Sequence, residues 1–133
     1  MDGQTFTVGN EVWFAVDSPG GRYSAFFEDD GETGYFYAYD LNNSSRPILD
    51  AVHIYSVENV VDRVRPSVAE IVWSDDGSKC ALIINRYPHA VFDFEAKRGY
   101  CRTNFPNFAD QPEVDWRKSD HSWSDGAAEW RSQ

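Results

Sequence analysis

Two Asp-Asp-Gly triplets, at 29–31 and 75–77, each lie between runs in which apolar and polar residues alternate. Alternation with a period of two turns one side of an extended chain toward a core, and Asp-Gly suits the positive-φ geometry of a tight reversal. Each triplet therefore specifies an antiparallel hairpin, and a chain built on two of them is mainly β. The same signals predict strands over 11–17, 23–28, 35–41, 48–55, 68–73, 79–85, 89–95 and 100–104, with the last four forming a meander.

In the third of these runs Tyr35, Tyr37 and Tyr39 share one side and Phe36 and Ala38 the other. Bulky apolar groups on both sides predict that both are covered, which implies a sandwich, a partly closed barrel or a covering helix. The period changes at Val57, Val60, Val61 and Val64, spaced i, i+3, i+4 and i+7, with Ser56 at an N-cap position and Pro66 beyond. That spacing predicts one short helix near 57–64. The expected fold class is mainly β with minor α content: antiparallel meander sheets in a sandwich or partly closed barrel.

One antiparallel β domain is expected over 1–109. In the tail, residues 110–133, Trp116, Trp123 and Trp130 recur at intervals of seven, and Ser124 or Asp125 could cap a terminal helix over 127–131. Three exposed indoles would leave costly apolar area in water, so the tail is expected to dock on the domain.

Acidic residues number 22 against 12 basic ones, a formal charge of −10, which argues against binding that depends on neutralising phosphates. Nucleic acid is therefore not an expected partner, whereas a basic protein is. The N-terminus lacks a basic segment followed by an apolar run, and no stretch nears the roughly 18 apolar residues of a membrane span. A cytoplasmic setting without membrane contact is expected, with Cys80 and Cys101 as reduced core thiols.

No nucleophile elbow, phosphate loop, zinc helix or EF-hand spacing occurs, so neither a catalytic residue nor a cofactor is assigned. Two clusters remain. The acidic turns, with Glu28, Asp29 and Asp30 in one and Asp75 and Asp76 in the other, would converge on one edge if the hairpins lie side by side. They could then engage partner arginines, with Tyr35, Tyr37 and Tyr39 as anchors. Calcium demands about six or more oxygens, and carboxylates alone are evident, so no metal is assigned. The second cluster is Arg86, Tyr87, His89, Asp93 and Arg102, an alternative small-ligand pocket. His89 and Asp93, four apart on one strand, lie about 13 Å apart by strand rise and form no dyad, while Arg102 is expected to pair with Asp93 across a hairpin.

The 46-residue spacing of the triplets, each preceded at two residues by an aromatic, Phe27 or Trp73, resembles the blade hairpins of β-propellers of the periplasmic translocation-protein type. Two such units are too few to close a propeller. The run from Ile71-Val72-Trp73-Ser74-Asp75-Asp76-Gly77 through Asn85-Arg86-Tyr87-Pro88-His89-Ala90-Val91-Phe92-Asp93-Phe94 to Arg98-Gly99-Tyr100-Cys101-Arg102 resembles a bacterial family of small proteins known as a domain of unknown function. That resemblance implies a bacterial, cytosolic protein and carries no activity. Small size, acidity, abundant Tyr and Trp and the lack of a catalytic motif together lead to the expectation of a non-enzymatic binding protein, an immunity or antitoxin-like inhibitor of a basic toxin or nuclease. The alternatives are a small-ligand or enzymatic domain using the second cluster and a module that pairs with its own copy as a homodimer.

Overall fold

In the computed structural model, which describes residues 3–42, 47–61 and 64–102 together with Trp123, Gly126 and Trp130, the alternating runs become two antiparallel sheets. The first is a plain meander of β2 (Val12–Asp17), β3 (Tyr23–Asp29), β4 (Thr33–Asp40) and β5 (Ile48–Ser56). The second joins β1 (Gln4–Phe6) to β6 (Ser67–Trp73), which continues through β7 (Lys79–Ile84) and β8 (Tyr87–Asp93) to β9 (Arg98–Cys101). The sheets face each other as a sandwich and do not close into a barrel.

The core follows from the alternation. Ala25, Phe27, Phe36, Ala38 and Val52 of the first sheet meet Ala69, Ile71, Cys80, Leu82, Ala90 and Phe92 of the second. Phe36 stacks on Phe92 across the gap, with centroids 4.8 Å apart, and Phe6 meets Phe27 edge-on at 5.2 Å. Each ring so buried contributes about 2–3 kcal/mol, enough for a few such contacts to decide for two packed layers over one open sheet. Polar ties add direction: the Trp73 indole donates to the Val16 carbonyl at 2.9 Å, and the Cys101 thiol to the His53 carbonyl at 3.3 Å. Cys80 and Cys101 are both free and buried, on strands separated by β8. Two strand spacings, about 9.5 Å, exceed what a disulfide can span.

A bulge in β5 shapes the interior. Gly34 pairs with Tyr55 but Tyr35 with His53, so Ile54 is the extra residue of a bulge and both Ile54 and Tyr55 turn inward. The Tyr55 ring lies directly over Gly34, where a Cβ would sit 2.6 Å from its Cζ. Its hydroxyl reaches Asp29, a carboxylate only 1% exposed. Asp29 Oδ2 accepts from Tyr55 at 2.6 Å and from the Gly9 amide at 2.8 Å, while Oδ1 accepts from the Gly31 amide at 2.8 Å. Gly9 holds φ at +92°, which only glycine adopts without strain.

Three expectations are corrected. The helix near 57–64 is a single 3-10 turn, Val57–Asn59, which Ser56 does not cap with its side chain. The valine stripe buries nothing that would hold a helix: Val61 and Val64 are 84% and 87% exposed. Valine's stiffness at χ1 also favours extended backbone, and β5 continues through Ser56 to pair with Thr33. The short edge strand β1 is added, because three residues with one inward side chain, Phe6, show no period. Among the described residues, no element covers the tyrosine side of β4. The expected terminal helix, apart from Trp130, lies outside the described residues, as does Trp116.

Removing the buried carboxylate should expose how much the fold leans on it. Asp29→Asn, which sets an amide N–H against backbone donors, is expected to cost about 2–4 kcal/mol in urea unfolding, and Tyr55→Phe about 1–2 kcal/mol. The double variant should lose less than the sum of the two, because both act on one network.

Candidate functional site

The outward side chains of the first sheet form a continuous field of rings. Trp13 of β2 stacks on Phe26 of β3 with centroids 5.1 Å apart and planes within 12°. Phe26 in turn stacks on Tyr39 and meets Tyr37 edge-on, each at 5.7 Å. Tyr37 stacks on Tyr35 at 5.8 Å, and Tyr35 meets the His53 imidazole edge-on at 6.1 Å. The rings thus cross all four strands, and Trp13 stands 65% exposed at one side. Alternation also places Asp17 and Glu28 on this face, and Glu28 accepts the Tyr37 hydroxyl at 3.0 Å. Burial first, and then this bond to a carboxylate, raise the Tyr37 phenol far above its usual range. Burial alone lowers the pKa of His53, which favours the neutral imidazole. The four strands contain neither lysine nor arginine.

The opposite outer face is closed. Ala81, Ile83 and Val91, outward on β7 and β8, pack with Val72 and Tyr100 against Trp123 and Trp130 of the tail. This explains why β7 is buried on both sides and reads as an unbroken apolar run.

The acidic turns do not share an edge. Asp29-Asp30-Gly31 ends β3, whereas Gly77 of the other triplet lies against the turn that begins it: a Cβ there would sit 3.5 Å from Ser18 and Pro19. Seven residues of strand separate the two ends, roughly 20 Å. The carboxylates are also spent locally. Asp29 is buried, and Asp30 accepts from the Glu32 and Thr33 amides at 2.9 Å each, which lowers its pKa. Asp76 accepts the Ser78 hydroxyl and amide and the Ser74 hydroxyl, and these bonds bring its carboxyl down to about 2. Asp75 remains exposed beside Asp76 at an open groove bounded by Trp73, Lys79 and Trp130. Among the described residues no group of three or more His, Cys, Asp or Glu could hold a metal ion.

The second cluster splits: Tyr87, His89 and Arg102 stay together, while Arg86 and Asp93 lie apart. Asn85 and Arg86 form the two-residue β7–β8 turn, both with positive φ, +53° and +70°, as a type I′ hairpin requires. Arg86 is exposed at the tip. Asp93 pairs in register with Arg98, not Arg102, and its carboxylate accepts the Glu95 and Ala96 amides. Arg102 lies beside His89, whose carbonyl accepts its amide, because the strands run antiparallel and Cys101 faces Ala90. The Arg102 guanidinium sits between two rings, 4.2 Å from that of Tyr87 and 4.1 Å from that of Trp123, and donates to the Pro88 carbonyl. It clamps the tail to the sheet. Tyr87 and His89 stay together, with His89 Nδ1 bonded to the Tyr87 carbonyl at 2.8 Å.

Sequence reasoning found the tyrosine row and missed Trp13, Phe26 and His53. Trp13 and Phe26 have the outward parity in their own runs, but only the pairing of Trp13 with Glu28 and of Phe26 with Tyr37 places them beside the tyrosines.

Residues 6–130 match the model of a family described as "Uncharacterized protein conserved in bacteria (DUF2251)". A protein of Haemophilus influenzae, described as uncharacterized, is 44% identical over 85 residues, covering 64% of this chain and 53% of its own length. The chain thus spans about half of that relative. No solved structure matches. Among the described residues no helix is long and apolar enough to cross a membrane.

Two outcomes test this geometry. A carboxyl with a lowered pKa adds stability above its unfolded value, near 4, that is lost as pH falls toward about 2. Thermal melts of wild type should fall through this window more steeply than those of Asp76→Asn. Arg86→Gly should raise stability by about 0.5–1 kcal/mol in urea titration, since glycine occupies a positive φ without a Cβ clash.

Proposed function

The chain belongs to the DUF2251 family of uncharacterised bacterial proteins, and on that premise we propose that it is a non-enzymatic binding protein whose aromatic face docks on a basic, arginine-rich protein surface. One observation carries the reading: a continuous row of rings from Trp13 to His53 on a sheet without lysine or arginine.

Guanidinium groups stack on aromatic faces and pair with carboxylates at the same time, and Asp17 and Glu28 stand within the ring field to accept them. Trp and Tyr also provide large contact area at low rotamer cost, which is why they recur as binding hot spots. The net charge of −10 speeds encounter with a cationic partner and repels nucleic acid. Self-pairing through this face would set two acidic surfaces together, which favours a foreign partner over a second copy. A cytoplasmic immunity or antitoxin-like protein that masks a basic toxin or nuclease is the biological form this chemistry suits.

The test uses an arginine-rich peptide and a lysine peptide of equal length and charge. The arginine peptide should quench tryptophan fluorescence and bind more tightly, and rising salt should weaken it. Trp13→Ala should reduce its affinity about tenfold with little change in melting temperature, because the ring is mostly solvent-exposed. Equal affinity for the two peptides, or binding indifferent to Trp13→Ala and to Glu28→Gln, would overturn the reading.

A further inference from the structure

At the end of the sandwich that holds Asp29, the two layers part around a cavity of about 480 Å³. Its volume is that of a site for a small organic molecule. Phe6, Val8, Ile54 and Ile84 supply apolar wall from β1, the loop after it, β5 and β7, and the rings of Tyr55 and Tyr87 flank them. Most of the polar groups around it are already committed. Tyr55 donates its hydroxyl to Asp29, and Asn85 holds the start of β6 by accepting the Val68 amide at 2.9 Å and donating to Ser67 Oγ at 3.3 Å. These bonds hold the wall open rather than offering themselves to a ligand.

Two groups differ. Arg65 lines the cavity, and no hydrogen bond or ion pair ties its guanidinium among the described residues. His89 lines it too, and because Nδ1 donates to the Tyr87 carbonyl, Nε2 is left as an acceptor. Burial lowers the His89 pKa, against the bond to the Tyr87 carbonyl and with the help of the nearby Arg102, which favours the neutral ring. Among the described residues no Asp or Glu lines this cavity. An arginine with no carboxylate beside it among the described residues, at the edge of a chamber with one apolar wall, selects an anion with an apolar body.

We propose that this cavity is a binding site for a small organic carboxylate, its apolar body packed on Phe6, Ile54 and Ile84 and its carboxylate held by Arg65. A hydroxyl on the ligand would find its acceptor in His89 Nε2. The site is separate from the aromatic face, which lies on the outside of the first sheet, so either reading can fail without the other.

Phenylacetate and octanoate, each against its own amide, are the probes, titrated by calorimetry and by NMR of the full chain. The acids are expected to bind saturably and to shift the resonances of Ile54 and Ile84. Arg65→Gln should weaken the acids about tenfold and leave the amides unchanged. Filling the chamber with Ile84→Trp should abolish binding of both, and Val8→Trp, at a partly exposed position, serves the same purpose should the core variant fail to fold. Trp13→Ala should bind the acids as wild type does. Equal binding of acid and amide, acid binding indifferent to Arg65→Gln, or no saturable shift at millimolar acid would each overturn the assignment.

Discussion

A single carboxylate, Asp29, ties together the loop after β1, the β3–β4 turn and the end of β5. Its oxygens accept from Gly9 in the loop after β1, from Gly31 in the β3–β4 turn and from the Tyr55 hydroxyl beyond the β5 bulge. A charged group taken out of water is tolerated only when its lone pairs are satisfied, and here three donors at 2.6–2.8 Å do so. The remaining features of that end depend on this arrangement. Tyr55 can reach the carboxylate because the bulge turns it inward and because Gly34 has no Cβ to obstruct its ring. The parting of the layers beside Phe6, Ile54 and Ile84 is bounded by the same tyrosine.

The two outer faces of the sandwich have opposite fates. The second sheet presents Ala81, Ile83 and Val91 outward, small and apolar, and Trp123 and Trp130 close over them while Arg102 is gripped between Tyr87 and Trp123. The first sheet presents rings that stack on one another and two carboxylates, and among the described residues nothing lies over it. Mutual stacking removes part of each ring from water without a covering layer, so such a face is stable alone and still has ring area left for a partner.

Much of the sandwich was legible before any coordinates. Alternation located eight strands to within a few residues, because inward positions such as Phe27, Phe36 and Phe92 repeat at a period that only an extended chain uses. The valine run was misleading for a physical reason: a helical spacing gains nothing unless a surface receives the stripe, and Val61 and Val64 face solvent. The reversal between 79–85 and 89–95 was placed, but not as a tight two-residue turn at Asn85-Arg86, because arginine is an unusual occupant of a positive φ. Of the candidate sites, the tyrosine row was visible as a same-parity triplet and Tyr87 and His89 as members of a pocket cluster, whereas the rest of the cavity lining, from Phe6 to Asn85, leaves no local signal.

The Asp-Asp-Gly triplets mark where the division falls. Sequence alone determined that both are turns, that the chain between them is β and that the protein is strongly acidic, because these depend on local backbone preference and on counting charges. Only the tertiary structure decided that the triplets sit at opposite ends of the sandwich, that Asp29 is buried while Asp75 faces solvent, and that one sheet face is clad while nothing among the described residues covers the other. Strand order and the packing of distant segments set those outcomes. They arise from contacts between residues tens of positions apart, which a local pattern does not encode.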